Sequence, residues 1–183
     1  GDAFSTSQTS NIKISQTDIR FLKQVTNVDE VIVEYAGAGA LKFDNDTKNA
    51  IIFSIEEEGF KFFLDNEYMK LGEGRWIEPN ESSAIMINEA LAKDTFDREL
   101  SLRKQVEING ETFKVVGTLE LGAAIAAMGS SGFIFTTVKG HERLDPNLEP
   151  AEIMVMTNTV DDVDQVKEDV TEYFEDKYGK KSI

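Results

Sequence analysis

Leu71-Gly72-Glu73-Gly74-Arg75-Trp76 opens the stretch on which the fold turns, and Phe113-Lys114-Val115-Val116-Gly117-Thr118-Leu119 closes it. Between them lie an apolar strand at Ala84 to Ile87 and a helix capped by Asn88 and carried to about Phe96. Leu91 and Thr95 share one face of that helix, with Ala92 and Phe96 beside them. Val106-Glu107-Ile108 then meets Asn109-Gly110 and a second alternating run. Asn-Gly between such runs predicts a type I′ hairpin, because both turn residues tolerate positive φ. No residue of the stretch pairs a nucleophile with a base. It specifies shape rather than chemistry.

Outward from it, the N-terminal side begins with residues 1–11, polar and rich in Ser and Thr, which read as a mobile arm. Ser15 followed by Asp18 marks a helix N-cap, and Ile19, Leu22 and Val25 form its apolar stripe. Val28 to Tyr35 reads as a strand, broken at Gly37-Ala38-Gly39 and followed by a short strand at Leu41 to Phe43. Asp44-Asn45-Asp46 is a turn, and Ala50 to Ile55 is an apolar strand. Glu56-Glu57-Glu58-Gly59 is a boundary. Phe60, Phe63 and Leu64 predict a short helix, which Gly72 and Gly74 end.

On the C-terminal side, Gly122 to Gly132 is small and flexible, and Phe133 to Val138 resumes strand character. Lys139 to Pro150 reads as a polar loop, and Ile153 to Met156 as a strand. A long helix starts at Asp161, with Asp162 and Asp164 favoured in its first turn by the helix dipole. Its stripe is Val163, Val166, Val170 and Phe174. The helix–strand–strand opening and strand–helix close can share one sheet, with residues 57–132 inserted between them.

The chain has 183 residues, 40% of them hydrophobic and 29% charged, as in an ordinary globular protein. Its 34 acidic and 19 basic residues give a formal net charge of −15. That field repels nucleic acid and anionic lipid, and attracts cations over a Debye length of about 8–10 Å. Cysteine is absent, which removes disulfides, thiolate metal sites and cysteine nucleophiles. No run reaches the roughly 18–20 apolar residues of a membrane span, and Gly1-Asp2-Ala3-Phe4 shows no secretory leader. The chain reads as a piece of something longer.

Candidate chemistry is sparse. His141, the only histidine, reads as a solvated loop residue, since one His makes neither a zinc site nor an oriented base. Asp44-Asn45-Asp46 starts like a calcium loop, but Asn49 and Ile55 stand where an EF-hand needs Gly and Glu. Gly37-x-Gly39 and Gly72-x-Gly74 continue into neither a Walker nor a dinucleotide fingerprint. The acidic runs at Glu56-Glu57-Glu58 and Asp161-Asp162 read as solvated faces. No cofactor, metal or catalytic residue is expected. The apolar, alanine-rich segment from Gly122 to Gly129 is the compositional oddity. Ile125 and Met128 are its candidate contacts with a partner or substrate, against the alternative that it folds onto its own core.

Leu71, Gly74-Arg75, Glu78, Glu81, Ala84 to Ile87 and Ala90 to Phe96 are the first half of an ordered pattern. Leu102-Arg103-Lys104, Val106, Ile108 and Phe113 to Leu119 complete it. On these motifs the chain resembles the periplasmic core domain of MacB-type ABC transporter permeases, the family with FtsX-like membrane segments. Asp18-Ile19 leading to Val28-Asp29-Glu30-Val31, and Glu152 to Met156 leading into the last helix, extend the likeness over roughly residues 16–180. Arg103 stands where the family pattern has glycine, and Phe133 to Val138 lacks the family's frequent proline.

The resemblance implies an α+β fold in two lobes. A porter-like, βαβ-type lobe uses both chain ends (12–56 and 133–183), and a mixed α/β lobe (57–132) is inserted. It implies a non-enzymatic domain on the extracytoplasmic face of the cell membrane, with membrane segments lying outside this chain. Its partners would be a cytoplasmic ATPase, a second permease copy in a dimer, and an adaptor or cationic substrate. Its role would be to couple ATP-driven motion of the membrane helices to export or partner docking. The alternative left open is an extracytoplasmic ligand-sensing domain of a signalling receptor.

Overall fold

Gly74 and Gly117 face each other across two antiparallel strands, and their lack of side chains lets those strands meet. A Cβ on Gly74 would lie 2.3 Å from the Val116 carbonyl oxygen, and one on Gly117 would lie 2.5 Å from that of Arg75. Gly74 also sits at φ 84°, where side chains are strained. The glycines read as breaks therefore lie within or at the end of a strand.

A computed structural model describes residues 3–7, 12–93, 96, 99–127 and 132–179. The chain order begins β1 (Ala3–Ser7), α1 (Gln16–Leu22), β2 (Val28–Phe43), β3 (Asp46–Ile55) and α2 (Glu57–Asp65). It continues with β4 (Met69–Gly74), β5 (Ala84–Asn88), α3 (Glu89–Lys93), β6 (Gln105–Ile108) and β7 (Glu111–Leu121). It ends with α4 (Ala123–Ala126), β8 (Phe133–Phe135), α5 (Val138–Leu144), β9 (Glu152–Thr157) and α6 (Val163–Tyr178). A single 3-10 turn, Val160–Asp162, leads into α6. The mixed α and β class expected from the sequence is the class found. Two units divide the chain, residues 1–34 with 149–183 and residues 35–148.

The unit of the chain ends carries β1, β9 and the first part of β2, in that order and antiparallel throughout. Residues 3–7 thus pair with β9 instead of forming part of a free arm; residues 1, 2 and 8–11 lie outside the described residues. Backbone groups on the edge of β9 accept a strand of almost any composition, so the polar sequence held no cue. Ser15 caps α1 in a capping box with Asp18. Val166, Val170 and Phe174 of the α6 stripe are buried, as are Ile19, Leu22, Val31, Val33, Ile153 and Val155.

The central unit is a ring. Its strands follow the order β2-β3-β8-β5-β7, and β6 pairs with both β7 and β2, which closes the circuit. β4 lies outside the ring against β7. Each ring strand sends alternate residues into one buried cluster: Leu41 and Phe43, Ala50 and Ile52, Ile134, Ile85 and Ile87, Phe113 and Val115, Val106 and Ile108. Alternation at period two fills such a small closed sheet with side chains. Asn109 and Gly110 take φ 50° and 89°, as the type I′ turn requires.

The structure corrects several local expectations. β2 runs unbroken through Gly37-Ala38-Gly39; a Cβ at Gly39 would meet Ile52 Cδ1 at 2.5 Å, so this glycine serves close packing. Asn88 ends β5, and its Oδ1 accepts from the Phe133 amide at 2.9 Å instead of capping a helix. α3 stops at Lys93. The polar loop from Lys139 contains α5, whose N-cap Thr137 accepts from the Gly140 amide at 3.0 Å. Arg103 holds φ 67°, a left-handed conformation that suits the glycine of the family pattern.

Candidate functional site

Asp18 begins as a local cap and ends as the hub of the terminal unit. Its side chain is wholly buried. Oδ2 accepts from the Ser15 amide at 2.7 Å, the Ser15 hydroxyl at 2.6 Å and the Tyr178 hydroxyl at 2.6 Å. Oδ1 accepts from the Tyr173 hydroxyl at 2.9 Å and the Lys177 ammonium at 2.5 Å. Helical spacing brings Tyr173 and Lys177 together, i to i+4 on the last turns of α6. The Lys177 ammonium also lies 5.6 Å from the Tyr173 ring centroid and 5.1 Å from that of Tyr178. Phe21 stacks on Tyr173, centroids 3.6 Å apart and planes at 8°.

Burial pushes the Asp18 carboxyl upward, but hydrogen bonds from Lys177, Ser15 and Tyr178 outweigh it and hold the group well below the usual carboxylate range. The same bond holds the Lys177 ammonium above its ordinary range, and burial raises the Tyr173 phenol. A carboxylate with five donors stays ionised and has no proton to exchange at neutral pH. This arrangement ties the start of α1 to the end of α6; it is suited to holding geometry.

Glu34 is the opposite case. It lies across from Glu152 in the β2–β9 register. Burial, then repulsion from Glu152, pushes it up to about 7.

In the central unit, Arg75 grips Glu81 through two bonds of 2.8 and 2.7 Å, and Glu81 also accepts from the Glu78 amide at 2.8 Å. The Arg75 fork holds Glu81 down to about 2. It sets the loop after β4, whose Ile77 and Pro79 line a cavity of about 120 Å³ with Ile55, Phe60, Phe135 and Val138.

The residues singled out in the sequence fall apart. His141 is not a solvated loop residue: α5 buries it to 2% exposure, and Nδ1 lies 2.8 Å from the Ser54 hydroxyl oxygen. Burial lowers its pKa. Ile125 is buried on α4 while its alanine neighbours are exposed, and Met128 lies outside the described residues. The hub and the cavity were not singled out. The donors Tyr173, Lys177 and Tyr178, clustered on an otherwise acidic helix end, were the only sign of the hub.

A buried hub that fixes geometry and an apolar recess are the two features the described residues present. The chain belongs to the MacB-like periplasmic core domain family, whose model matches residues 2–173. It is therefore an extracytoplasmic domain of the ABC transporter permease kind. No helix among the described residues is long and apolar enough to cross a membrane.

Over 167 residues it is 25% identical to an uncharacterised ABC transporter permease of Methanocaldococcus jannaschii, covering 90% of this chain and 41% of that protein. Over 112 residues it is 25% identical to YvrN, an uncharacterised ABC transporter permease of Bacillus subtilis, covering 58% of this chain and 26% of that protein. The chain spans less than half of either relative.

Its fold is similar to the extracellular domain of the noncanonic ABC-type transporter YknZ from Gram-positive bacteria. The TM-score is 0.73 at 16% identity, covering 98% of this chain and 95% of that one. It is also similar to the periplasmic region of MacB from Actinobacillus actinomycetemcomitans. There the TM-score is 0.69 at 21% identity, covering 96% and 78%.

Proposed function

We propose that the domain couples ATP-driven movement of a permease's membrane segments to export or partner docking, as one copy of a dimer served by a cytoplasmic ATPase. The observation that carries this reading is the Asp18 hub. Force arriving at either chain end meets a junction in which residues 13–18 and 173–178 are already bound together. The nested two-lobe arrangement read from the sequence (12–56 with 133–183 around 57–132) is part of the proposal, with its boundaries moved to those of the compact units, 1–34 with 149–183 around 35–148. So is a cationic substrate or adaptor, which the net charge of −15 favours.

The domain offers no native cysteine to a thiol label, and any cysteine elsewhere in the full permease is first replaced. A cysteine at exposed Lys167 carries a spin label in the full permease reconstituted with its ATPase. The distance between labels on the two copies is expected to change on ATP addition, and Asp18→Asn to abolish that change while hydrolysis continues. A distance indifferent to ATP overturns the reading. The 123–128 segment is proposed as a partner or substrate contact in which buried Ile125 anchors exposed alanines and Met128 takes part. Its deletion should reduce export with the fold retained; unchanged export refutes that assignment.

A further inference from the structure

The cavity beneath α2 has a composition that the coupling role leaves unused. At about 120 Å³ it is well below the roughly 300–1,000 Å³ of sites that enclose a small-molecule ligand. It suits one side chain. Aromatic Phe60 and Phe135 share its wall with aliphatic residues: Phe60 stacks on Phe135 at 5.8 Å and 14°, and outside the lining meets Trp76 edge-on at 5.2 Å. Phe60 and Trp76 are only half-buried.

Two polar side chains line it. Thr137 is committed, its hydroxyl donating to the Glu81 carbonyl at 2.6 Å and accepting from the Gly140 amide. Glu57 is exposed, and among the described residues it makes no hydrogen bond or ion pair. Exposed Glu58 and Glu78 adjoin lining residues in sequence, and the nearby Arg75 is engaged by Glu81. The mouth therefore presents the Glu57 carboxylate beside an apolar recess.

We propose that this cavity is a docking socket for a partner protein, taking one aromatic or branched side chain of a basic segment whose neighbouring Lys or Arg pairs with Glu57. Anchor residues seated in small pockets with charged flanks are the usual energetic centre of such contacts. The inference rests on the partner-docking half of the reading above and goes further in naming the site and the partner chemistry.

Trp76, the only tryptophan, packs on Phe60 and supplies the readout. The 183-residue chain is titrated with acetyl-Arg-Phe-Arg-amide while Trp76 emission is followed. A saturable change is expected, about threefold weaker with Glu57→Gln and lost with Val138→Phe, which fills the recess. Acetyl-Arg-Ala-Arg-amide should give none. Glu57 is exposed, so its variant keeps the test decisive if Val138→Phe does not fold.

No saturation to about 10 mM, equal binding of acetyl-Glu-Phe-Glu-amide, or indifference to Glu57→Gln overturns the proposal. Benzylammonium binding as tightly as the peptide would also overturn it, in favour of a small-amine site. The titration requires no membrane or ATPase, so its failure is distinguishable from failure of the ATP-driven distance change.

Discussion

The unit of the chain ends and the central unit reach stability by different routes. In the first, one ionised carboxylate gathers five donors from elements about 160 residues apart. In the second, six strands each contribute apolar residues to one cluster, and no single pair closes it. A hub concentrates stability in one protonation state and one side chain; a ring distributes it. A change that unseats the hub should loosen the chain ends alone, whereas an apolar defect in the ring should weaken the centre by degrees.

The largest effect should come from the ring. Phe113 is 1% exposed, and Phe113→Ala should cost about 3–5 kcal/mol, read as a lowered urea midpoint and faster hydrogen exchange in β5 and β7. Asp18→Asn should cost about 2–4 kcal/mol, because it strands buried donors. Exchange should then rise in α1 and α6 while β5 and β7 hold. If all four elements respond together, the contrast between the units is broken. Gly117→Ala should cost about 1–3 kcal/mol by forcing the β4–β7 backbones apart.

Acidity separates the two carboxylates of the terminal unit. The folded pKa of Asp18 is depressed, so its contribution is present above the ordinary value of 3.8 and is lost as pH falls below it. Glu34 is raised from 4.5 to about 7, so it weakens the fold as pH rises through that window. Thermal melts of Glu34→Gln should lose that decline and lie above the native chain at pH 8. The smallest change expected is Arg103→Gly, a gain of about 0.5–1 kcal/mol from relief of the left-handed backbone, measured by the same denaturation.

Several features that act within four residues are legible in the sequence, though the Thr137–Gly140 cap of α5 is not. Ser15 with Asp18, Asn109 with Gly110, and the Val166–Val170–Phe174 stripe all sit where spacing places them. Long-range partners are not legible. His141 reads as a loop residue because its partner, Ser54, is 87 positions away and its helix rests on a one-residue cap. Asp18 shows its capping role in the sequence, but not Lys177, 159 residues later. The socket is assembled from separate elements whose aromatic residues have no common period. Gly37 and Gly39 mislead for a related reason: close approach by a distant side chain has the same local signature as a break.

The ring is closed by little backbone pairing. β6 meets β2 only at Leu41–Ile108 and Lys42–Glu107, and the turn residue Asn109 extends that seam. Its Oδ1 accepts from the Ala40 amide at 2.9 Å, and its own amide donates to the Ala40 carbonyl at 3.2 Å. Joining segments about 69 residues apart carries a loop-closure penalty that the local β6–β7 hairpin does not. In kinetic terms the hairpin is an early event and this seam a late one. Asn109 takes part in both, first as the bend and then as the latch.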